Sequence, residues 1–224
     1  MEHTLRVIDQ ELRGLRDDLA RMGDLVARQI RGAVAAFVDQ DAAVGEHCVA
    51  ADVEVDDLGT RVEGAALRFV ALRQPVADDL RRAVAALKIA LQLERCGDLA
   101  KNIARRTARF EHRPSAGQVE AVRSLGALVT SRLETVLSAY ASADAATALA
   151  VWRTDVEVDA LHQRLFGEVV TAMRANADVV DVGTQLLFIA KNLERIGDHA
   201  TNIAELIQFE LSGAEPGSRP KLQS

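Results

Sequence analysis

The sequence contains few aromatic residues, prolines and cysteines. Phe, Trp and Tyr make up 4% of its 224 residues, with one Trp and one Tyr, and only four prolines are present. Ala, Leu and Val are abundant instead, and no proline interrupts a long periodic segment, so the chain favours helix over sheet. With 49% hydrophobic and 27% charged residues, the composition excludes a mainly disordered chain.

The two cysteines, Cys48 and Cys96, lie far apart and form no CxxC motif. This spacing argues against a disulfide framework and against a zinc site built from cysteines, and it fits a reducing compartment. In the internal repeat described below, apolar residues stand at the matching positions. We therefore expect both thiols to pack in the interior.

Two further absences limit the partners of this chain. The formal net charge is -6, which opposes binding to nucleic-acid phosphates, so no nucleic-acid partner is expected. No apolar run reaches the roughly 20 residues of a bilayer span, because Lys88 divides the best candidate. The first residues are too charged for a signal peptide. We expect no membrane insertion and a cytoplasmic location.

An internal repeat divides the chain into two halves. Residues 88–105 match residues 188–205 at 11 of 18 positions, and residues 41–58 match residues 144–161 at 9 of 18. Repeats near 100 residues are too long for a solenoid unit and indicate duplication of a small domain.

Apolar periodicity predicts three helices in each half. The six predicted helices span residues 4–38, 41–73, 76–111, 117–141, 144–175 and 179–211. Asp41 and Asp144 are the expected N-caps of the second and fifth helices. The predicted fold is all-α, with two antiparallel three-helix bundles related by internal duplication.

The segment HRPSAG separates the two predicted bundles, since it combines a proline, a glycine and a serine suited to cap the next helix. We predict a first bundle over residues 1–112 and a second over residues 117–212. Residues 213–224 have no apolar periodicity and are predicted to form a flexible tail.

Paired carboxylates recur at helical spacing in both halves. The DVEVD segments place two aspartates four residues apart, and the third helix of each half has Glu, Asp and Asn at successive steps of four. Like charges one helical turn apart repel unless a cation lies between them, and all of these side chains offer oxygen ligands. The ten candidate metal ligands are Asp52, Asp56, Glu94, Asp98, Asn102, Asp155, Asp159, Glu194, Asp198 and Asn202.

Hairpin geometry brings these segments together. Residues equidistant from the turn of an antiparallel hairpin lie side by side, and the midpoint between residues 54 and 96 is Pro75. In the second half, the midpoint between residues 157 and 196 lies next to Asn176, inside a predicted turn. Each half is therefore expected to carry four carboxylates and an amide at one level, at the edge of the surface.

Glycines and arginines accompany the acidic residues. Gly97 and Gly197 lie inside predicted helices beside the acidic pairs, so either a neighbouring helix or bound ions must approach closely there. Arg95 and Arg195 directly follow the two glutamates. They are either ion-paired or available to a partner, and we retain them as candidate partner-binding residues.

At two places the sequence is similar to a known family. Residues 72–104 and 186–205 read LRQPVADDLRRAVAALKIALQLERCGDLAKNIA and LLFIAKNLERIGDHATNIAE. They resemble the two signature segments of the PhoU family of phosphate-transport regulatory proteins, and the resemblance runs from about residue 4 to residue 211.

The resemblance implies a function that is not enzymatic. PhoU proteins are cytoplasmic, usually dimeric adaptors that repress the phosphate-starvation response when phosphate is plentiful. Their partners are the phosphate-sensing histidine kinase and the ATPase of the phosphate ABC transporter. Their E(D)xxxD motifs bind divalent or trivalent metal ions, as multinuclear iron clusters in some members. Carried over to this chain, these motifs fall on the candidate ligands named above, and Cys96, which matches Ile196, leaves the ligands in place.

Two other interpretations of the acidic pairs stay open. A carboxylate-bridged metal-storage or di-metal bundle protein also places acidic residues on packed helices, but such sites use paired Glu-x-x-His motifs, and this chain has none. A purely structural bundle would carry the same residues as solvated faces.

Overall fold

The computed structural model describes residues 2–214 and 217, and these residues form helices and connections without strands. The predicted all-α class is confirmed. Apart from residues 213, 214 and 217, the predicted tail lies outside the described residues. The helices are α1 (Glu2–Asp39), α2 (Ala42–Ala50), α3 (Asp52–Arg73), α4 (Ala77–Thr107), α5 (Ala116–Ser142), α6 (Ala145–Arg153), α7 (Val156–Ala175) and α8 (Val180–Ser212), with a 3-10 turn at Ala177–Val179.

Two of the six predicted helices are interrupted, each at the start of a DVEVD segment. The predicted helix over residues 41–73 is divided into α2 and α3 at Ala51, and the one over residues 144–175 is divided into α6 and α7 at Thr154 and Asp155. The two parts of each pair pack against the same neighbours. Helices α2 and α3 pack against α1 and α4, and α6 and α7 pack against α5 and α8, so each pair forms one helical rod of its bundle.

The interruptions have a common backbone geometry. The amide of Glu54 donates to the carbonyl of Ala51 at 3.2 Å, and the amide of Glu157 donates to the carbonyl of Thr154 at 3.1 Å. These are bonds between residues three apart, so the helix is locally overwound. In the second bundle the Thr154 hydroxyl also donates to the carbonyl of Ala150, at 2.8 Å, a contact that bends helices.

The predicted caps and turns are present. The Asp41 carboxylate accepts from two amides of α2 at 2.9 and 3.1 Å, and that of Asp144 accepts from two amides of α6 at 3.0 Å. Ser115 and Gln118 form a capping box at the start of α5. The hairpin turns lie beside Pro75 and Asn176, as the midpoint argument predicts.

One hydrophobic core runs through both bundles. Helix α4 packs against α1, α3 and α8, and α5 packs against both α1 and α8. The four helices α1, α4, α5 and α8 thus form the centre, and the α2–α3 and α6–α7 rods lie outside them. Both predicted domain limits stay predictions, because the bundles share this core.

Helices α4 and α8 run antiparallel across the boundary between the bundles. Gln92 accepts from Asn202 at 3.0 Å and lies 2.8 Å from the ring nitrogen Nδ1 of His199. Closer to the end of α4, Arg106 donates to Gln185 at 2.9 Å. Residues later in α4 therefore contact residues earlier in α8, which shows that the two helices are antiparallel.

Helices α1 and α5 pack against each other through two equivalent contacts. A Cβ placed on Gly23 would lie 2.3 Å from Leu137 Cδ1, and one placed on Gly126 would lie 2.6 Å from Val34 Cγ2. Gly23 and Val34 in α1 are each 103 residues before Gly126 and Leu137 in α5. The two bundles are therefore related by an approximate twofold axis.

A partly buried ion pair also joins the two bundles. Arg16 Nη2 in α1 lies 2.8 Å from Glu210 Oε1 in α8, and the Glu210 side chain is only 3% exposed. The Arg16 guanidinium carbon lies 5.6 Å from the centroid of the Tyr140 ring. Burial raises the pKa of Glu210, and the hydrogen bond from Arg16 acts in the opposite direction.

The cysteines behave as expected. Cys48 and Cys96 are free and buried, and burial raises the pKa of both thiols. The prediction that they serve packing is confirmed. Within the described ranges, no helix is long and apolar enough to cross a membrane.

Candidate functional site

The hairpin of the first bundle brings the DVEVD segment of α3 beside the acidic residues of α4. We name Asp52, Asp56, Glu94 and Asp98 the first acidic cluster. Lys101 Nζ donates to Asp52 Oδ2 from one side and to Asp98 Oδ1, at 2.7 Å, from the other. A single ammonium group therefore joins the two helices at the level that the spacing predicts.

Asp52 is buried rather than at the edge of the surface. It is 5% exposed, and its Oδ1 accepts from Gln29 Nε2 in α1 at 3.0 Å. Asp56, one turn further along α3, is exposed to solvent. Partial desolvation and the charge on Asp52 raise the pKa of Asp56, and Lys101 opposes them.

The second bundle contains an equivalent group of carboxylates, with Thr201 in the place of Lys101. We name Asp155, Asp159, Glu194 and Asp198 the second acidic cluster. The hydroxyl of Thr201 donates to Asp155 Oδ1 at 2.8 Å, and Asp155 is 8% exposed. Burial, followed by the charges on Asp155 and Glu194, raises the pKa of Asp159. The carboxylates of α7 and α8 therefore act on one another electrostatically.

The other candidate residues have separate positions. Asn102 is exposed, whereas Asn202 donates its amide to Gln92 across the boundary between the bundles. Arg95 and Arg195 are both exposed, beside the glutamates of the two clusters. Their assignments as ligands and as partner-binding residues stay predictions.

The two glycines next to the clusters are approached by a neighbouring helix. A Cβ on Gly97 would lie 3.2 Å from Asp52 Oδ1 and 3.2 Å from Gln29 Oε1. A Cβ on Gly197 would lie 2.9 Å from Val158 Cγ1. Of the two alternatives left by the sequence, close helix packing is the one that the structure contains.

The donor chemistry of both clusters suits a hard cation, since carboxylate and hydroxyl oxygens are the ligands that such ions prefer. Over residues 2–214 and 217, however, no three His, Cys, Asp or Glu side chains converge closely enough to hold a metal ion. In the first cluster, Lys101 already supplies a positive charge. Metal binding by either cluster stays a prediction.

A family model matches the chain twice. The model of the PhoU domain covers residues 19–107 and again residues 122–207, one match for each bundle. The chain belongs to the PhoU family.

Curated PhoU relatives match this chain over nearly its whole length. A phosphate-specific transport system accessory protein PhoU homolog of Caulobacter vibrioides is 46% identical over 223 residues, which cover 99% of this chain and 97% of the relative. A protein of the same description from Rhizobium meliloti is 37% identical over 221 residues, covering 98% and 93%.

Solved PhoU structures share the fold. PhoU from Pseudomonas aeruginosa superposes with a TM-score of 0.88 at 33% identity, over 92% of this chain and 99% of that one. The phosphate transport system regulatory protein PhoU from Streptococcus pneumoniae also gives a TM-score of 0.88, at 26% identity, over 94% and 100%. The predicted family and the predicted pair of three-helix bundles are confirmed.

Sequence reasoning missed three residues at the PhoU clusters, namely Gln29, Lys101 and Thr201. Gln29 lies in another helix with no spacing relation to the acidic motif, so nothing in the sequence indicates its role. Lys101 and Thr201 occupy the same position of the repeat, three residues after an aspartate. Comparison of the two repeats at that position was the available signal.

Proposed function

We propose that this chain is a regulatory adaptor of phosphate uptake that helps to keep the phosphate-starvation response off when phosphate is plentiful. The observation that carries the proposal is the duplicated PhoU domain, which covers both bundles. Relatives described as phosphate-specific transport system accessory proteins, up to 46% identical over nearly the whole chain, support this accessory role.

The proposed partners are the phosphate-sensing histidine kinase and the ATPase of the phosphate ABC transporter, which the chain would contact in the cytoplasm as a homodimer and without catalysis of its own. Exposed arginines beside each cluster support a contact surface, since Arg95 and Arg195 occupy equivalent places in the two repeats. Arginine is enriched among the residues that contribute most to protein interfaces.

We further propose that the acidic clusters bind divalent or trivalent metal ions. Support comes from the oxygen donors at one level of each hairpin and from the electrostatic coupling of Asp159 to Asp155 and Glu194. When bound, such an ion would supply positive charge that stabilises the packing of neighbouring helices.

The regulatory role predicts derepression when the protein is lost. In phosphate-rich medium, a strain without this protein should switch on a phosphate-starvation reporter, and wild type should switch it off again. Because ions at the acidic clusters are proposed to stabilise the packing of neighbouring helices, Asp98→Ala with Asp198→Ala should leave the reporter at the level of the deletion strain. Reporter output and protein abundance are measured together.

A matched control uses two exposed acidic residues outside the clusters. Asp17→Ala with Asp181→Ala removes the same charge from α1 and from the start of α8 and should repress like wild type. A reporter that stays off in the deletion strain would contradict the regulatory role. Full repression by the cluster variant would contradict a role for the clusters.

The adaptor role predicts direct binding. Purified protein should bind the cytoplasmic part of the kinase and the transporter ATPase in biolayer interferometry. Arg95→Ala with Arg195→Ala should weaken at least one of these complexes about tenfold, since loss of an interface arginine costs more than 1 kcal/mol at a main contact. The exposed Arg164→Ala variant serves as a control and should bind like wild type. If neither partner binds, direct contact is ruled out.

The di-metal or metal-storage alternative is not favoured. Family membership points to an accessory protein, and the chain lacks the paired Glu-x-x-His motifs of ferritin-like di-metal sites.

A further inference from the structure

The two acidic clusters differ in the charge that faces them. In the first bundle, Lys101 extends from α4 so that its ammonium lies between Asp52 and Asp98. Its side chain is only 17% exposed. The ammonium therefore lies between α3 and α4, with the buried carboxylate of Asp52 on one side and the 42% exposed carboxylate of Asp98 on the other.

Both carboxylate oxygens of Asp52 accept a hydrogen bond. Oδ1 accepts from Gln29 Nε2 at 3.0 Å, and Oδ2 accepts from Lys101 Nζ. Gln29 is itself fixed, because the same amide nitrogen also donates to the carbonyl of Cys48, at 3.1 Å. A metal ion that used Asp52 would have to displace the ammonium, and it would be repelled by that charge while it remained nearby.

The second bundle carries an uncharged residue at the matching position. Thr201 stands 100 residues after Lys101 and gives Asp155 a hydroxyl donor without a positive charge. Two basic side chains of this bundle act on the cluster. Lys191 Nζ lies 2.7 Å from Glu194 Oε1, and the His162 imidazole, whose pKa is lowered by burial, interacts with Glu194 and Asp159. The Lys191 side chain is 53% exposed, so this ion pair lies on the solvent side of the cluster.

From this difference we infer that Lys101 takes the place of a metal ion in the first acidic cluster, which restricts the metal binding proposed above for both clusters to the second. The part that concerns the second cluster rests on the metal binding proposed above. The part that concerns Lys101 does not, because an ammonium that joins Asp52 to Asp98 makes the first hairpin independent of metal.

Reciprocal substitutions at the repeat position test the inference. Mn²⁺ is titrated into metal-free protein by isothermal titration calorimetry, with folding checked by circular dichroism. Lys101→Thr should add one Mn²⁺ site, and a further Asp98→Asn substitution should remove it. Thr201→Lys should weaken binding at the second cluster about tenfold or more, because it places an ammonium where the cation would lie.

Lys101→Arg keeps the charge and should add no site, which separates the effect of charge from that of disturbed packing. Lys101→Met keeps most of the length without the charge and should add a site, as Lys101→Thr does. Failure of both neutral variants to gain Mn²⁺ would overturn the inference, and so would wild-type binding that Asp56→Asn abolishes. If the neutral variants gain a Mn²⁺ site but the second cluster of the wild-type protein binds no Mn²⁺, the result would contradict the metal binding proposed for the second cluster.

Discussion

Leu93→Ala is expected to lower the free energy of unfolding by about 2–5 kcal/mol, the range found when a fully buried leucine is truncated. Leu93 is 0% exposed and lies in α4, the helix that packs against α1, α3 and α8. A cavity there opens in the hydrophobic core that the two bundles share. Chemical denaturation followed by circular dichroism measures the loss, as a lower midpoint with an unchanged dependence on denaturant.

Leu91→Ala is the matched control. Leu91 lies two residues away on the same helix but is 47% exposed, so the same truncation should change stability by no more than about 0.5 kcal/mol. Similar losses for the two variants would mean that α4 does not have the buried face described here.

Arg16→Ala is expected to destabilise the protein by about 2–4 kcal/mol at neutral pH, because it leaves the buried carboxylate of Glu210 without the cation that donates a hydrogen bond to it. Glu210 is almost completely buried, whereas the Arg16 side chain is 32% exposed. We place the loss slightly below the range for a fully enclosed pair because solvent already screens the arginine.

The pH dependence of this variant gives a second measurement. Burial raises the pKa of Glu210, so the folded state binds a proton more readily than the unfolded state, and stability increases as the pH falls through the folded pKa. Without Arg16 this effect should grow. The deficit of Arg16→Ala should therefore shrink as the pH falls from neutral towards the ordinary pKa of a glutamate.

A double variant separates the buried charge from lost packing. Glu210→Gln in the Arg16→Ala background removes the unpaired charge, and it should recover most of the stability at neutral pH and flatten the pH dependence. Thermal unfolding of the four proteins of this cycle, at neutral and at acidic pH, gives the coupling between the two residues. A deficit that is equal at both pH values would show that lost packing, not the charge on Glu210, is the cause.

Much of the fold follows from the sequence because helical periodicity and internal repetition are local signals. The apolar periodicity of the last helix repeats every three or four residues. Each of the caps at Asp41 and Asp144 lies directly before the helix that it caps. The interruptions at Ala51 and Thr154 were not predicted, because the apolar pattern continues across both. They depend on contacts with other helices, such as the bond that the Arg132 guanidinium makes to the Thr154 hydroxyl.

The candidate site follows from the sequence only in part. Hairpin midpoints place the acidic segments at one level, because both helices of an antiparallel hairpin rise by the same distance per residue. They do not determine which side chains turn inward, and so the burial of Asp52 and Asp155 was missed. Nor do they show what faces a carboxylate from a third helix, as Gln29 does.

The reciprocal contacts of Gly23 with Leu137 and of Gly126 with Val34 have an evolutionary consequence. One contact made twice about a twofold axis is what two identical subunits present to each other in a symmetric dimer. In a homodimer of single bundles, every mutation changes both halves together. Once two copies are joined in one gene, each half is inherited as a separate stretch of sequence, and a lysine can be fixed at position 101 while a threonine is kept at position 201. Gene fusion thus allows a protein of this shape to specialise one half without giving up the other.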